Sequence, residues 1–182
     1  MCPFRANALS CCGCELLTAA AALQYKFNRA ANATTCSESL ECATLKQIFV
    51  AVEANSSLGG EVLVPAGETL GYADIAPLGQ NASDGSLTTP MATGVSLTFS
   101  VTSGGRAKFD GAGVSRLFVA SNVVVAFTNF DFVNSPRPVL AQNSTFTFTN
   151  CNFRNNSVAE SGGAVLVKIG MLSVPSLISL LS

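Results

Sequence analysis

Any chemistry in this chain has to come from a small set of acids and bases. There is no histidine, which removes the side chain that most often works as a general base near neutral pH. The aspartates Asp74, Asp84, Asp110 and Asp131 are scattered, and only Asp110 and Asp131 are separated by the interval at which the chain repeats itself. Two carboxylates stacked by that interval would bind a cation such as calcium or polarise a sugar. The plainer alternative gives Asp110 to the turn at "FDG" and leaves Asp131 as a solvated strand residue. Arg137, Arg154 and Lys168 are available as a base, although Val133 stands at the place equivalent to Arg154. The "CCGC" cluster at Cys11 to Cys14 has C-x-x-C spacing, but zinc needs four ligands and no histidine completes the set. No catalytic, cofactor or metal residue is assigned, and Asp110 and Asp131 stand as the candidate pair.

The interval matters because the chain writes one phrase twice. "FTNFDFVNS" at 127–135 returns as "FTNCNFRNN" at 148–156, an offset of 21. Laying 118–135 on 139–156 without a gap gives seven identities in eighteen positions: Ala120, Asn122, Phe127, Thr128, Asn129, Phe132 and Asn134 each meet their own type. A period this short suits one coil of a β-solenoid, in which each turn stacks on the last at about 4.8 Å. Phe127 is then expected to stack on Phe148 and Phe132 on Phe153 as an inner aromatic column, with Phe130 over Cys151. Asn129 over Asn150 would form an amide ladder at a turn.

The elements that carry this repeat are mostly strands. The runs "VSLTFSV", "RLFVA", "VVVAF" and "STFTF" are β-rich and separated by Asn, Gly, Ser and Asp. One helix is expected over 44–55, where Leu45, Ile48, Phe49 and Val52 make an apolar stripe and Thr44 with Gln47 makes a capping box. Gly59 and Gly60 end it, and "EVLVPAG" follows as a strand closed by a turn. The fold class is therefore all-β, a parallel solenoid with an N-terminal capping helix over residues 44–168 and a lead-in at 23–43. After Lys168 the text loses asparagine and aromatics, so residues 169–182 read as an atypical tail outside the coil pattern, placed to cover an open end, in a chain that looks truncated.

Composition narrows the compartment and the partners. A net charge of −1 with no basic run leaves nothing for counterion release from nucleic acid, and no apolar stretch reaches the ~18–20 residues of a membrane-spanning helix. Five N-x-[ST] acceptors, at Asn32, Asn55, Asn81, Asn143 and Asn155, favour a secreted or cell-surface glycoprotein. Asn32, Asn55 and Asn81 are the favoured acceptors, whereas Asn155 would stay unmodified if it pairs inward with Asn134. Residues 1–22 have the features of a signal peptide, with Arg5 before a modest apolar run and small residues near Ala22; a misassigned start or an amphipathic leader are the alternatives. Cleavage would remove Cys2, Cys11, Cys12 and Cys14. Of the rest, Cys36 and Cys42 flank a short loop and are near enough to bridge in an oxidising compartment, and Cys151 reads as packing.

Residues 44–70, "TLKQIFVAVEANSSLGGEVLVPAGETL", resemble the opening of right-handed parallel β-helices of the pectate-lyase-like superfamily, with its capping helix, glycine pair and V-x-V-P-x-G strand. "FRNN" at 153–156 and "GGAV" at 162–165 resemble the FxxN and GGA[ILV] repeats of chlamydial polymorphic membrane proteins, while "FVNS" at 132–135 departs from them at Ser135. The broader resemblance implies either an enzyme or a binding module. Enzymatic members cleave polysaccharides with clustered carboxylates that hold calcium and an Arg or Lys base, or with close aspartates and a histidine. Lacking those, the chain is expected to be a non-catalytic module that binds a polysaccharide or an extracellular protein in an adhesion, cell-wall or matrix role. The alternative is an N-terminal fragment of a polysaccharide lyase or glycoside hydrolase.

Overall fold

A computed structural model of the chain describes residues 23–31, 34–37, 39–55, 59–71, 74, 95–113, 117–136, 139–156, 165–168 and 171–181. Residues 1–22, for which a signal peptide is expected and which hold four cysteines, lie outside the described residues, as do Asn32, Asn81, Asp84 and Arg137. The chain is mostly strand: β1 (Leu23–Phe27), β2 (Glu41–Cys42), β3 (Gly60–Val64), β4 (Thr69–Leu70), β5 (Ser96–Val101), β6 (Ala107–Asp110), β7 (Phe118–Ser121), β8 (Val124–Thr128), β9 (Phe130–Val133), β10 (Val139–Gln142), β11 (Thr145–Arg154), β12 (Val165–Lys168) and β13 (Met171–Leu181), with one α-helix among the described residues, α1 (Leu45–Ala54).

Every strand pairing among the described residues is parallel. Nine strands follow one another in the order β2-β1-β3-β5-β8-β11-β9-β6-β4, with β13 on β11, and β7, β10 and β12 form a second sheet. The nine-stranded path is curled because β11 runs unbroken through a corner at Asn150 and pairs with β8 by its first half and with β9 by its second. Such an all-β arrangement is compatible with a parallel solenoid.

The period seen in the sequence is a register. Thr145 pairs with Val124, Asn152 with Asp131 and Val139 with Phe118, so residues 21 apart in sequence fall opposite one another on all three rows of strands. The inward positions are aromatic. Phe127 lies between Phe99 and Phe148, with centroids at 4.8 and 5.5 Å and rings tilted by only 17° and 7°. Beside it Phe132 lies between Phe109 and Phe153, at 5.3 and 4.9 Å. All six are buried, and stacked pairs of this kind add about 0.5–1.5 kcal/mol each beyond the area they bury. Cys151 is buried beside them, its thiol directed at the Thr149 and Phe127 carbonyls, and burial pushes its pKa up.

Helix α1 starts at Thr44 with both halves of the capping box in place: Thr44 Oγ1 accepts the Gln47 amide and Gln47 Oε1 accepts the Thr44 amide, each at 3.2 Å. Leu45, Ile48, Phe49 and Val52 are all buried, and the Phe49 ring meets Phe99 edge-on at 6.3 Å. The two glycines that follow have separate reasons. Gly59 takes a left-handed φ of 66°, and a Cβ on Gly60 would come within 3.0 Å of Val52 and 3.1 Å of Leu97. A side chain there would require Val52 and Leu97, which pack helix against first sheet row, to give by a few tenths of an ångström.

The lead-in and the tail each add a strand that carries no trace of the repeat. In the lead-in, β1 pairs with β3 and buries Tyr25 and Phe27, while Cys36 and Cys42 are joined by a disulfide next to β2. In the tail, β13 pairs along β11 from Thr145 to Arg154, with register shifts beginning between Thr147 and Thr149. Pro175 falls at the first of them, where a residue without an N–H cannot continue the ladder.

Candidate functional site

Three corners turn the chain between rows, and each is an asparagine in the left-handed region: Asn122, Asn129 and Asn134 in one coil, Asn143, Asn150 and Asn155 in the next, with φ between 47° and 68°. Asparagine tolerates that backbone better than other side chains apart from glycine. The side chains then bond along the stack. The Nδ2 of Asn143 donates to Asn122 Oδ1, that of Asn150 to Asn129 Oδ1, and that of Asn155 to Asn134 Oδ1 at 3.5 Å. Ladders were expected at Asn129–Asn150 and Asn134–Asn155; both are present, and Asn122–Asn143 adds a third. Asn155 pairs with Asn134 but is exposed at its corner, so the inward placement that would have kept it unmodified is not what the structure shows.

Asp110 and Asp131 belong to this system of columns. Strands β6 and β9 do not keep the period of the repeat, and Asp110 pairs with Val133 and Asp131 with Lys108. Equal sequence offset therefore does not put one carboxylate above the other; they sit one diagonal apart on the outer side of the row. Asp110 Oδ1 accepts the Asn134 amide at 3.1 Å and so ends the column that continues to Asn155, while Asp131 Oδ1 accepts the Asn152 amide at 2.7 Å. Burial alone would raise the Asp110 pKa, but the Ala112 backbone amide, the Asn134 side chain and Lys108 outweigh it and hold the carboxyl below its ordinary value.

That shift has a sign that can be checked. A carboxyl whose folded pKa is depressed adds stability above its unfolded value of about 3.9, and the contribution is lost as pH falls from there through the folded pKa. Thermal melts from pH 6 down to about pH 2 should therefore fall less steeply on the acid side for Asp110→Asn than for the parent chain. Parallel acid limbs would contradict the assignment of Asp110 as a ladder terminus.

Asp131 is held from both sides. Arg106 donates its Nε to Asp131 Oδ1 at 2.8 Å and its two terminal nitrogens to the carbonyls of Asn150 and Phe130, at 2.8 and 2.9 Å, while Arg154 reaches Asp131 Oδ2 at 3.2 Å. Arg106 thus ties three levels of the stack together. Nothing in its sequence surroundings announces this, because the carbonyls it gathers belong to later coils. No group of three or more metal-ligating side chains converges among the described residues.

A groove of about 460 Å³ opens near the N-terminal end, lined by Lys26, Phe27, Arg29, Glu41 and Glu68 among others. Its acids are engaged: Asn28 donates to Glu41, and Arg29 bridges Glu68 and Asp74, both at 2.7 Å, over the Phe27 ring. The Asp74 carboxylate, and then Glu68, raise the Arg29 pKa.

The most regular outward surface lies instead on β5, β8 and β11. Register aligns Ser96, Val124 and Thr145, then Thr98, Ala126 and Thr147, then Ser100, Thr128 and Thr149. Alternation places these side chains on the solvent side, partly or fully exposed, while Leu97, Phe99, Val125, Phe127, Phe146 and Phe148 fill the inside. The result is a grid of hydroxyls and methyls without a charge, spaced about 4.8 Å across strands and about 6.6 Å along them. No protein family, no curated protein and no solved structure matches this chain. Among the described residues no helix is long and apolar enough to cross a membrane.

Proposed function

We propose that the chain is a right-handed parallel β-solenoid of the pectate-lyase-like type, secreted or displayed at a cell surface, and that it works as a non-catalytic module binding a polysaccharide along its extended face. The observation that carries this reading is the uncharged three-by-three grid on β5, β8 and β11. A repeating lattice of hydroxyls at strand spacing is suited to a polymer that is itself repetitive and neutral, and it has no means of choosing a charged ligand. The solenoid is supported by the constant register of the two repeated coils and by the corner ladders. The Cys36–Cys42 disulfide supports an oxidising compartment. A non-catalytic role fits an Asp131 already neutralised by Arg106 and Arg154.

Co-sedimentation with insoluble neutral polysaccharides, set beside polygalacturonate, tests it. Binding should be retained at high salt, and Thr147→Glu should weaken it about ten- to hundredfold, since a carboxylate desolvated without a partner costs about 1–3 kcal/mol. Release of reducing ends or unsaturated products, lost in Asp131→Ala, would instead establish the polysaccharide-cleaving alternative. Binding unchanged in Thr147→Glu would move the site off this face.

A further inference from the structure

The outward face that carries the uncharged grid does not stop at β5. Register takes its last file onward, from Thr149, Thr128 and Ser100 to Leu63 on β3, Lys26 on β1 and Glu41 on β2. Each of these residues has a buried neighbour beside it in its own strand, so alternation keeps the whole file on one outward face. At its far end the file runs into the groove near the N-terminal end, whose wall is built from Lys26, Glu41 and Leu63 together with Pro65, Glu68 and Thr102. Grid and groove are one continuous surface, and the groove has the size of a small-ligand site, about 300–1,000 Å³.

Resting on the polysaccharide reading of the grid, we propose that the groove is the end subsite of that face and takes the terminal sugar of the neutral chain whose following sugars lie along β5, β8 and β11. Leu63 and Pro65 give the groove an apolar wall for the C–H face of a sugar ring. The polar capacity left over is a donor beside an acceptor. Among the described residues Lys26 makes no side-chain hydrogen bond or ion pair, and Glu41 uses only Oε2, which accepts the Asn28 amide at 3.2 Å. Register sets these two residues side by side. An ammonium with three N–H donors next to an open carboxylate oxygen suits neighbouring hydroxyls, each of which both gives and accepts a hydrogen bond. A terminal sugar carries a free hydroxyl where an interior sugar carries a linkage, so this pair favours an end. Lys26 and Arg29 stand against Glu41, Glu68 and Asp74, so an acidic sugar meets no surplus of positive charge.

Titration calorimetry of the full chain with cellohexaose, xylohexaose and mannohexaose, beside co-sedimentation with the corresponding insoluble polymers, tests this. At least one hexaose should bind, and Lys26→Ala and Glu41→Gln should each weaken it about tenfold, the worth of a hydrogen bond to a charged group. The melting temperature should stay unchanged in both. Polymer shortened by mild acid has more ends at equal mass, and it should bind more of the unmodified protein but no more of Lys26→Ala. Thr147→Glu keeps the two readings apart. If it weakens polymer binding while Lys26→Ala and Glu41→Gln leave hexaose binding untouched, the grid stands and the end subsite is overturned. Polymer binding without hexaose binding, or without dependence on ends, overturns it as well, and tighter binding of trigalacturonate than of any hexaose overturns the neutral class. A chain that binds neither polymer nor hexaose removes both readings. Should Lys26→Ala not fold, Glu41→Gln decides alone.

Discussion

Phe127→Ala is expected to lower stability by about 3–5 kcal/mol, the range for removing a fully buried aromatic ring from a core that cannot collapse around the loss. Phe127 stacks on rings above and below and meets Phe118, Phe130 and Phe132 at 5.1 to 5.9 Å from the sides. Because its neighbours are fixed by strand register rather than by flexible packing, they cannot move in to fill the space. For a chain of this size the melting temperature should fall by about 10 °C. Phe127→Leu keeps most of the volume and should cost about 1–2 kcal/mol. Chemical denaturation of both variants measures this, and a loss under about 1 kcal/mol for Phe127→Ala would mean the ring is not at the centre of a stacked column.

The corner at Asn129 should give the second largest effect, and its variants separate two causes. Asn129→Ala removes the oxygen that accepts the Asn150 amide and forces an alanine to a φ of 68°. A lost hydrogen bond at about 1 kcal/mol and left-handed backbone at about 1–2 kcal/mol sum to about 2–3 kcal/mol. Asn129→Gly relieves the backbone and should cost about 1 kcal/mol. Asn129→Asp keeps an acceptor and tolerates the conformation, so it should lie close to the parent chain near neutral pH. If Ala and Gly prove equal in denaturant melts, backbone conformation is not what asparagine supplies at this corner.

How legible the fold was in the sequence depended on how evenly the coils repeat. Residues 118–135 and 139–156 pair at one constant offset on all three rows, so identical types met in both the text and the structure. The earlier coils step differently: Ser96 pairs with Val124 between β5 and β8, and Ala107 with Phe130 between β6 and β9. Those coils pack Phe99 on Phe127 and Phe109 on Phe132, yet a fixed offset misses them. The misplacement of Asp110 over Asp131 has the same origin, since turn length varies while strand stacking does not. Strands β1 and β13 were hidden because they pair out of step with the period, Leu23 with Gly60 and Met171 with Thr145, and repeat no residue type. Helix α1 was readable because its stripe and capping box are local. The tie made by Arg106 was not, because a long side chain gathering carbonyls from other coils leaves no spacing signature.

The corner ladders all donate in one sense, from the later coil to the earlier, and at Asn134 the donor end finishes on Asp110. The main chain at the same corners runs the other way, the amides of Asn122, Asn129 and Asn134 donating to the carbonyls of Gln142, Thr149 and Arg154. In a chain made N-terminus first, at about 5–20 residues per second, each corner therefore offers a finished side-chain oxygen to the asparagine that arrives and holds a main-chain amide that is satisfied only by it. Each corner is closed by two bonds of opposite sense, both made when the later repeat docks on the earlier.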